Sequence, residues 1–211
     1  MSAEARLRES LVRHGRSLYE RGLSPGSSGN LSARLDDGLL VTPTNSCLGR
    51  LDPEQISRVD GDGQPLSGDK PSKEALLHLV LYRERPAARG VVHLHSTHAV
   101  ALSCLADVDP ADVLPPITPY GVMKIGRLPL VPYHRPGDRT LAADVATRAR
   151  DHRAVLLANH GPVVSGSDLD TAVAAAEELE ETARLFFLLR GSATRLLSDE
   201  QVRDLQRAFP G

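Results

Sequence analysis

Gly90-Val91-Val92-His93-Leu94-His95 is the stretch on which the fold and the chemistry both turn. Its β-branched residues favour a strand, and strand alternation puts His93 and His95 on one face with Val92 and Leu94 on the other. Two residues advance about 6.6 to 6.8 Å along a strand, a spacing at which two imidazoles can converge on one ion. The H-x-H pattern alone leaves a second reading open, that of two hydrogen-bonded histidines in a core or on a surface.

On the N-terminal side, Lys73-Glu-Ala-Leu-Leu-His-Leu-Val-Leu-Tyr-Arg-Glu-Arg85 reads as a substantially buried helix, starting beside a Ser72 cap, with Glu74 in its first turn. On the C-terminal side a helix is expected from Thr97. Further on, AVLLANHGPVVSG (residues 154–166) reads as a strand, a sharp turn at Asn159-His160-Gly161 and a second short strand. His160 therefore ends an apolar strand, and strand ends are where α/β proteins build their sites. Glu74, His93, His95 and His160 together would give three imidazoles and a carboxylate. That set suits zinc, with manganese or cobalt as further options. His98 is a further candidate ligand or supporting donor, although the change from strand to helix after Ser96 turns it away.

The outer segments complete a layered α/β pattern. Leu7, Leu11, Leu18 and Tyr19 recur at helical spacing between Ala3 and Arg21 and stop at Gly22 and Pro25. LSARL and GLLVTP read as short strands joined around Asp36-Asp37-Gly38. The proline-dense LPPITPYGVMKIGRLPLVPY (residues 114–133) is expected to be loop and short strand, and LAADVATRARDH an amphipathic helix. A long helix is expected from an Asp168 cap to Gly191, and DEQVRDLQRAF forms a last one.

The chain has 211 residues, 41% of them hydrophobic and 25% charged, which suits a single domain with a full core. Aromatics make up only 3%, Trp is absent and the formal charge is -2, so no nucleic-acid footprint is expected. No stretch approaches the roughly 18 apolar residues of a membrane span, and a cytoplasmic protein acting on small molecules is the expectation. Cys47 and Cys104 form no CxxC pair and are expected to be reduced, structural thiols.

These residues resemble the class II aldolase/adducin family, which includes the L-fuculose phosphate aldolases. The resemblance runs through SSGNLSAR, VTPT, PSKE, VVHLHSTHAVALSC, NHGPVVSG and EELEETARL, nearly the whole chain. It implies one three-layer α/β/α domain over residues 1–211 with a central, largely antiparallel sheet, assembled as a homotetramer. It further implies a zinc ion held by Glu74, His93, His95 and His160, with Glu74 able to leave the metal and act as acid and base. Substrate phosphate would lie against Gly29, Asn30, Thr44 and Ser72, and a tyrosine from a neighbouring subunit, matched by Tyr120, would complete the acid-base set.

Two departures narrow the resemblance. Lys73 stands where the fuculose phosphate aldolases have a second serine, and TPTNSCLGRL replaces TPTG. A cation beside the metal suits a substrate with an additional carboxylate. Together with PPITPY and RLPLVPY, these variants look like the 3-oxo-tetronate 4-phosphate decarboxylases, implying decarboxylation to dihydroxyacetone phosphate through a metal-stabilised enediolate. The alternatives are a fuculose or ribulose phosphate type aldolase, a pentulose-phosphate epimerase, and a non-catalytic adducin-like interaction protein.

Overall fold

The computed structural model describes residues 2–135 and 138–209. Among them the chain runs α1 (Ala3–Glu20), β1 (Asn30–Leu35), β2 (Gly38–Val41), β3 (Ser57–Asp60), β4 (Pro65–Ser67), α2 (Ala75–Glu84), β5 (Gly90–His93), α3 (Thr97–Ser103), α4 (Pro119–Lys124), β6 (Leu130–Val131), α5 (Arg139–Ala149), β7 (Ala154–Leu157), β8 (Gly161–Gly166), α6 (Leu169–Leu189) and α7 (Asp199–Ala208). The strands form one sheet in the order β4-β3-β2-β1-β5-β8-β7-β6. Every pairing is antiparallel except β6 with β7.

Strand alternation divides the core into two layers. Leu31, Ala33, Leu40, Val92, Leu94, Leu156 and Val164 pack with Leu11 and Leu18 of α1, Leu102 of α3 and Leu179 of α6. Leu39, Val41, Val91, Val155, Leu157 and Val163 face the other way, onto Leu81 of α2 and Val145 of α5. A sheet buried on both faces needs apolar residues at successive positions, which is why β5, β7 and β8 read as continuous apolar runs. The expected three-layer α/β/α domain with a largely antiparallel sheet is the observed one.

Four local expectations change. Helix α2 begins at Ala75, and Glu74 is its N-cap residue rather than part of its first turn. Ser72 accepts a hydrogen bond at 3.2 Å from the Glu74 N–H, one step before the helix. Strand β5 ends at His93, leaving His95 beyond it. The proline-rich segment contains a short helix, α4, because Pro119 occupies its first turn and Thr118 accepts from the Gly121 N–H at 3.0 Å. Finally, both cysteines are free, but Cys104 is exposed rather than buried.

Asp168 caps α6 by accepting from the Thr171 N–H at 2.6 Å, and Gly191 follows that helix at φ +81°, as the sequence implies. No helix among the described residues is long and apolar enough to cross a membrane. Leu156 is fully buried at the centre of one layer. Leu156→Ala should therefore lower the unfolding free energy by about 2–5 kcal/mol in urea titrations, and a loss below about 1 kcal/mol would contradict this packing.

Candidate metal centre

Strand β5 lies between β1 and β8, so its last residue, His93, sits opposite Asn30 on one side and Val163 on the other. His93 is fully buried on the sheet face that meets α2. Its Nδ1 lies 2.9 Å from the Pro162 carbonyl and donates to it, which leaves the Nε2 lone pair free to bind a cation. Gly29 is needed here. With φ +75°, a Cβ at this position would meet the His93 carbonyl oxygen at 2.9 Å.

Chain turns bring the other groups in. His95 follows the end of β5, while His160 occupies the β7–β8 turn, where Asn159 adopts φ +56°. Gly161 has φ +145°, and a Cβ there would stand 2.4 Å from the Leu94 carbonyl oxygen. Glu74 reaches the same point from the N-terminus of α2. The Nε2 atom of His93 lies 3.0 Å from that of His95 and 3.3 Å from that of His160. The Glu74 carboxylate lies 3.5 Å from His93 Nε2 and 3.3 Å from His160 Nε2.

All four donor atoms fit within 4.8 Å of one another. Bonds of about 2.0–2.1 Å arranged tetrahedrally separate neighbouring ligand atoms by about 3.3 Å, close to the gaps observed. The three rings stand edge to face, with centroids 4.8–4.9 Å apart and interplanar angles of 70–88°. This directs nitrogen lone pairs to a common centre. The cluster is therefore able to hold a divalent cation, and sequence spacing had already singled out all four of its members.

Burial favours the form that binds metal. It holds His93 below its ordinary range and lowers His95 to about 4, so both imidazoles are neutral near pH 7. Burial alone would raise the Glu74 carboxyl. The neighbouring His93 and hydrogen bonds from His160 and Asn30 outweigh that effect and hold it below the ordinary carboxylate range.

A second tier of side chains surrounds the four donors. Asn30 Nδ2 donates to Glu74 Oε2 at 2.7 Å, and Asn30 Oδ1 meets His78 Nε2 at 2.5 Å. His78 Nδ1 lies 2.7 Å from Ser32 Oγ, which lies 2.8 Å from the Tyr82 hydroxyl. The sequence reading missed this network. A trace of it was visible, since Glu74, His78 and Tyr82 recur at four-residue spacing. His98 stands apart from the cluster, with its Nδ1 2.8 Å from Glu180 Oε1. The same carboxylate accepts the N–H groups of His98 and Ala99 at the start of α3.

The Class II Aldolase and Adducin N-terminal domain model matches residues 9–187, most of the chain. The chain belongs to the class II aldolase/adducin family. It is 54% identical to the 3-oxo-tetronate 4-phosphate decarboxylase of Escherichia coli strain K12 over 204 residues, covering 96% of each protein. It is 39% identical to the L-fuculose phosphate aldolase of Haemophilus influenzae, over 86% of this chain and 83% of that one. Among solved structures, YgbL of Escherichia coli superposes with a TM-score of 0.95 at 52% identity. That match covers 97% of this chain and all of YgbL.

The remaining residues singled out by the family resemblance are distributed unevenly. A bridge between Pro43 and Pro71 draws the Thr44 segment against the Ser72 segment, with the Thr44 N–H on the Lys70 carbonyl at 2.9 Å. Gly29, Thr44, Ser72 and the metal cluster thus share one end of the sheet. Lys73 is exposed and lines a small cleft with Glu74, Leu77, Asp138 and Leu141. The Asn30 carboxamide is committed to Glu74 and His78. Tyr120 is 60% exposed on α4, with the Lys124 ammonium 5.7 Å from its ring centroid. Within the described residues of one chain it forms no hydrogen bond or ring contact with the cluster.

The buried histidines make stability depend on pH. Burial is the main cause that lowers His78 to about 3 and His95 to about 4, against 6.5 for an exposed histidine. The unfolded chain thus binds more protons below about pH 6.5, so stability is full above that pH and declines as pH falls towards 4. Urea unfolding of metal-free protein should show this decline between about pH 6.5 and 4.5, and the His78→Gln variant a shallower one; a flat wild-type profile would contradict the buried neutral state.

Proposed function

We propose that the protein is a metal-dependent carboxy-lyase that converts a 3-oxo-tetronate 4-phosphate to dihydroxyacetone phosphate and carbon dioxide. The observation that carries this reading is the convergence of Glu74, His93, His95 and His160 in a chain that aligns over 96% of its length with a decarboxylase named for that substrate. Zinc is the proposed ion, with manganese or cobalt able to occupy the same donors. Residues 1–211 act as one domain of a cytoplasmic homotetramer.

A divalent ion supplies Lewis acidity to a ketone and stabilises negative charge developing beside it. His93, His95 and His160 are the permanent donors. Gly29, Asn30, Thr44 and Ser72 line the phosphate end, where backbone N–H groups of the Gly-Asn turn and of the segment before α2 favour an anion. Lys73 orients the substrate carboxylate from the cleft beside Glu74. Its exposure is useful here, because a carboxylate locked in a buried ion pair would resist leaving as neutral carbon dioxide.

In the bond-breaking step the C1–C2 bond cleaves, its electron pair moves toward the C3 carbonyl, and C1 departs as carbon dioxide. One proton must then reach C2 to give dihydroxyacetone phosphate. Glu74 handles protons at the C2 hydroxyl and at C2, and the Tyr120 of the partner subunit is the second acid-base group. An aldolase would break the equivalent bond with an aldehyde as the departing electrophile. Lys73 favours the carboxylate-bearing substrate.

Both candidate stereoisomers of 3-oxo-tetronate 4-phosphate, supplied with zinc or manganese, should release carbon dioxide and dihydroxyacetone phosphate in equal amounts from at least one isomer. Aldehyde and dihydroxyacetone phosphate from fuculose 1-phosphate, with no carbon dioxide from either tetronate isomer, would support the aldolase instead. His95→Ala should reduce bound metal by elemental analysis, and undiminished stoichiometric metal would remove His95 from the donor set. Glu74→Gln should keep the fold and lose about 10²–10⁴ in turnover; wild-type rates of carbon dioxide release would sink its role as acid and base.

A further inference from the structure

Behind Glu74, β1 and α2 present matching polar positions. Asn30 and Ser32 are two residues apart on one strand face, and Glu74, His78 and Tyr82 are four apart along the helix. A strand advances about 6.7 Å in two residues and a helix about 6 Å in four, so the two series stay in step. Asn30 therefore meets Glu74 and His78, while Ser32 meets His78 and Tyr82. Ser32 and His78 are fully buried, and Asn30 and Tyr82 are only 4% and 3% exposed.

The direction of every hydrogen bond in this row follows from the carboxylate. Glu74 Oε2 accepts, so the Asn30 group facing it is the NH2 and the group facing His78 is the carbonyl oxygen. His78 must then carry its proton on Nε2, which leaves Nδ1 to accept from the Ser32 hydroxyl. Because the Ser32 proton goes to His78, the Tyr82 hydroxyl is the donor in its contacts with Ser32, shared between Oγ at 2.8 Å and the carbonyl oxygen at 3.0 Å, and it ends the row. If the Asn30 amide turned over, its oxygen would face the carboxylate and its NH2 would face the His78 N–H. Neutral His78 thus fixes which end of Asn30 meets Glu74.

We propose that His78 is a positioning residue, acting through Asn30, that holds the Glu74 carboxylate in place both as a metal donor and for its work on protons. The inference rests on the metal-dependent reading above. A group that orients a metal-binding carboxylate typically accounts for about 10–100-fold in metal affinity or activity. The role is distinct from packing, because it needs an N–H donor at the His78 Nε2 position rather than only a ring of the right volume.

The test measures zinc affinity by chelator competition, together with kcat and KM, in the full-length protein. His78→Phe should weaken zinc binding about 10-fold or more and lower kcat, with KM changed less than about threefold. His78→Gln, which keeps an N–H donor, should restore both to within about threefold of wild type. Leu81→Ala, which opens the core under the same helix without touching the network, should lower stability while leaving zinc affinity within about twofold. If His78→Phe does not fold, Asn30→Ala should show the same loss of zinc affinity.

Unchanged zinc affinity in folded His78→Phe or Asn30→Ala would overturn the proposal. So would equal weakening by Leu81→Ala, or a His78→Gln variant no better than His78→Phe. Zinc affinity does not depend on the substrate. Weakened zinc in a protein whose wild type releases no carbon dioxide would therefore sustain the network and reject the reaction, while carbon dioxide release with unaltered zinc in the variants would do the reverse.

Discussion

The structure depends on bringing three imidazoles and one carboxylate to a single point at the end of a central strand. Their donor atoms come from the start of α2, the end of β5, the residue just past it and the β7–β8 turn, and lie within 4.8 Å of one another. Burial disfavours charge on His93 and His95 and so leaves lone pairs available. The same burial pushes the Glu74 carboxyl up, and His93 with the hydrogen bonds from His160 and Asn30 brings it below its ordinary range. One buried site thus keeps His93 and His95 neutral beside a carboxylate held below its ordinary range, protonation states that suit a divalent cation.

That convergence also sets the backbone around it. His93 is anchored by the Pro162 carbonyl across the β5–β8 pairing, so the register of two strands fixes the orientation of an imidazole. Gly29 and Gly161 allow neighbouring turns to approach the β5 backbone more closely than any Cβ would permit. Glu74 occupies the N-cap position of α2 without capping the helix itself, which frees its carboxylate to face the histidines. Placement of the site at strand ends and a helix start leaves the apolar layers intact, because the polar groups sit where alternation and helical periodicity stop.

Much of this was legible in the sequence. The valines before His93 indicated a buried strand, Asn159-His160-Gly161 indicated a turn, and Asp168 and Gly191 bracketed the long helix. Helix α4 was obscured because proline density reads as loop, although Pro119 in a first turn behind Thr118 is compatible with a helix. Residues 57–67 lack an apolar run and form β3, which buries only Ser57 and Val59, and the exposed edge strand β4, where pairing rather than burial makes the structure. The row through Asn30, His78, Ser32 and Tyr82 depends on a strand and a helix staying in step across more than forty residues of sequence. Periodicity within either element alone does not reveal that contact.

The central claim is that Glu74 and three histidines hold one divalent ion. X-ray absorption on protein loaded with one equivalent of zinc tests it most directly. The account predicts nitrogen and oxygen scatterers at about 2.0–2.2 Å, with the outer-shell pattern of three imidazoles. A sulfur scatterer at about 2.3 Å, or a shell of oxygens without imidazole, would contradict it.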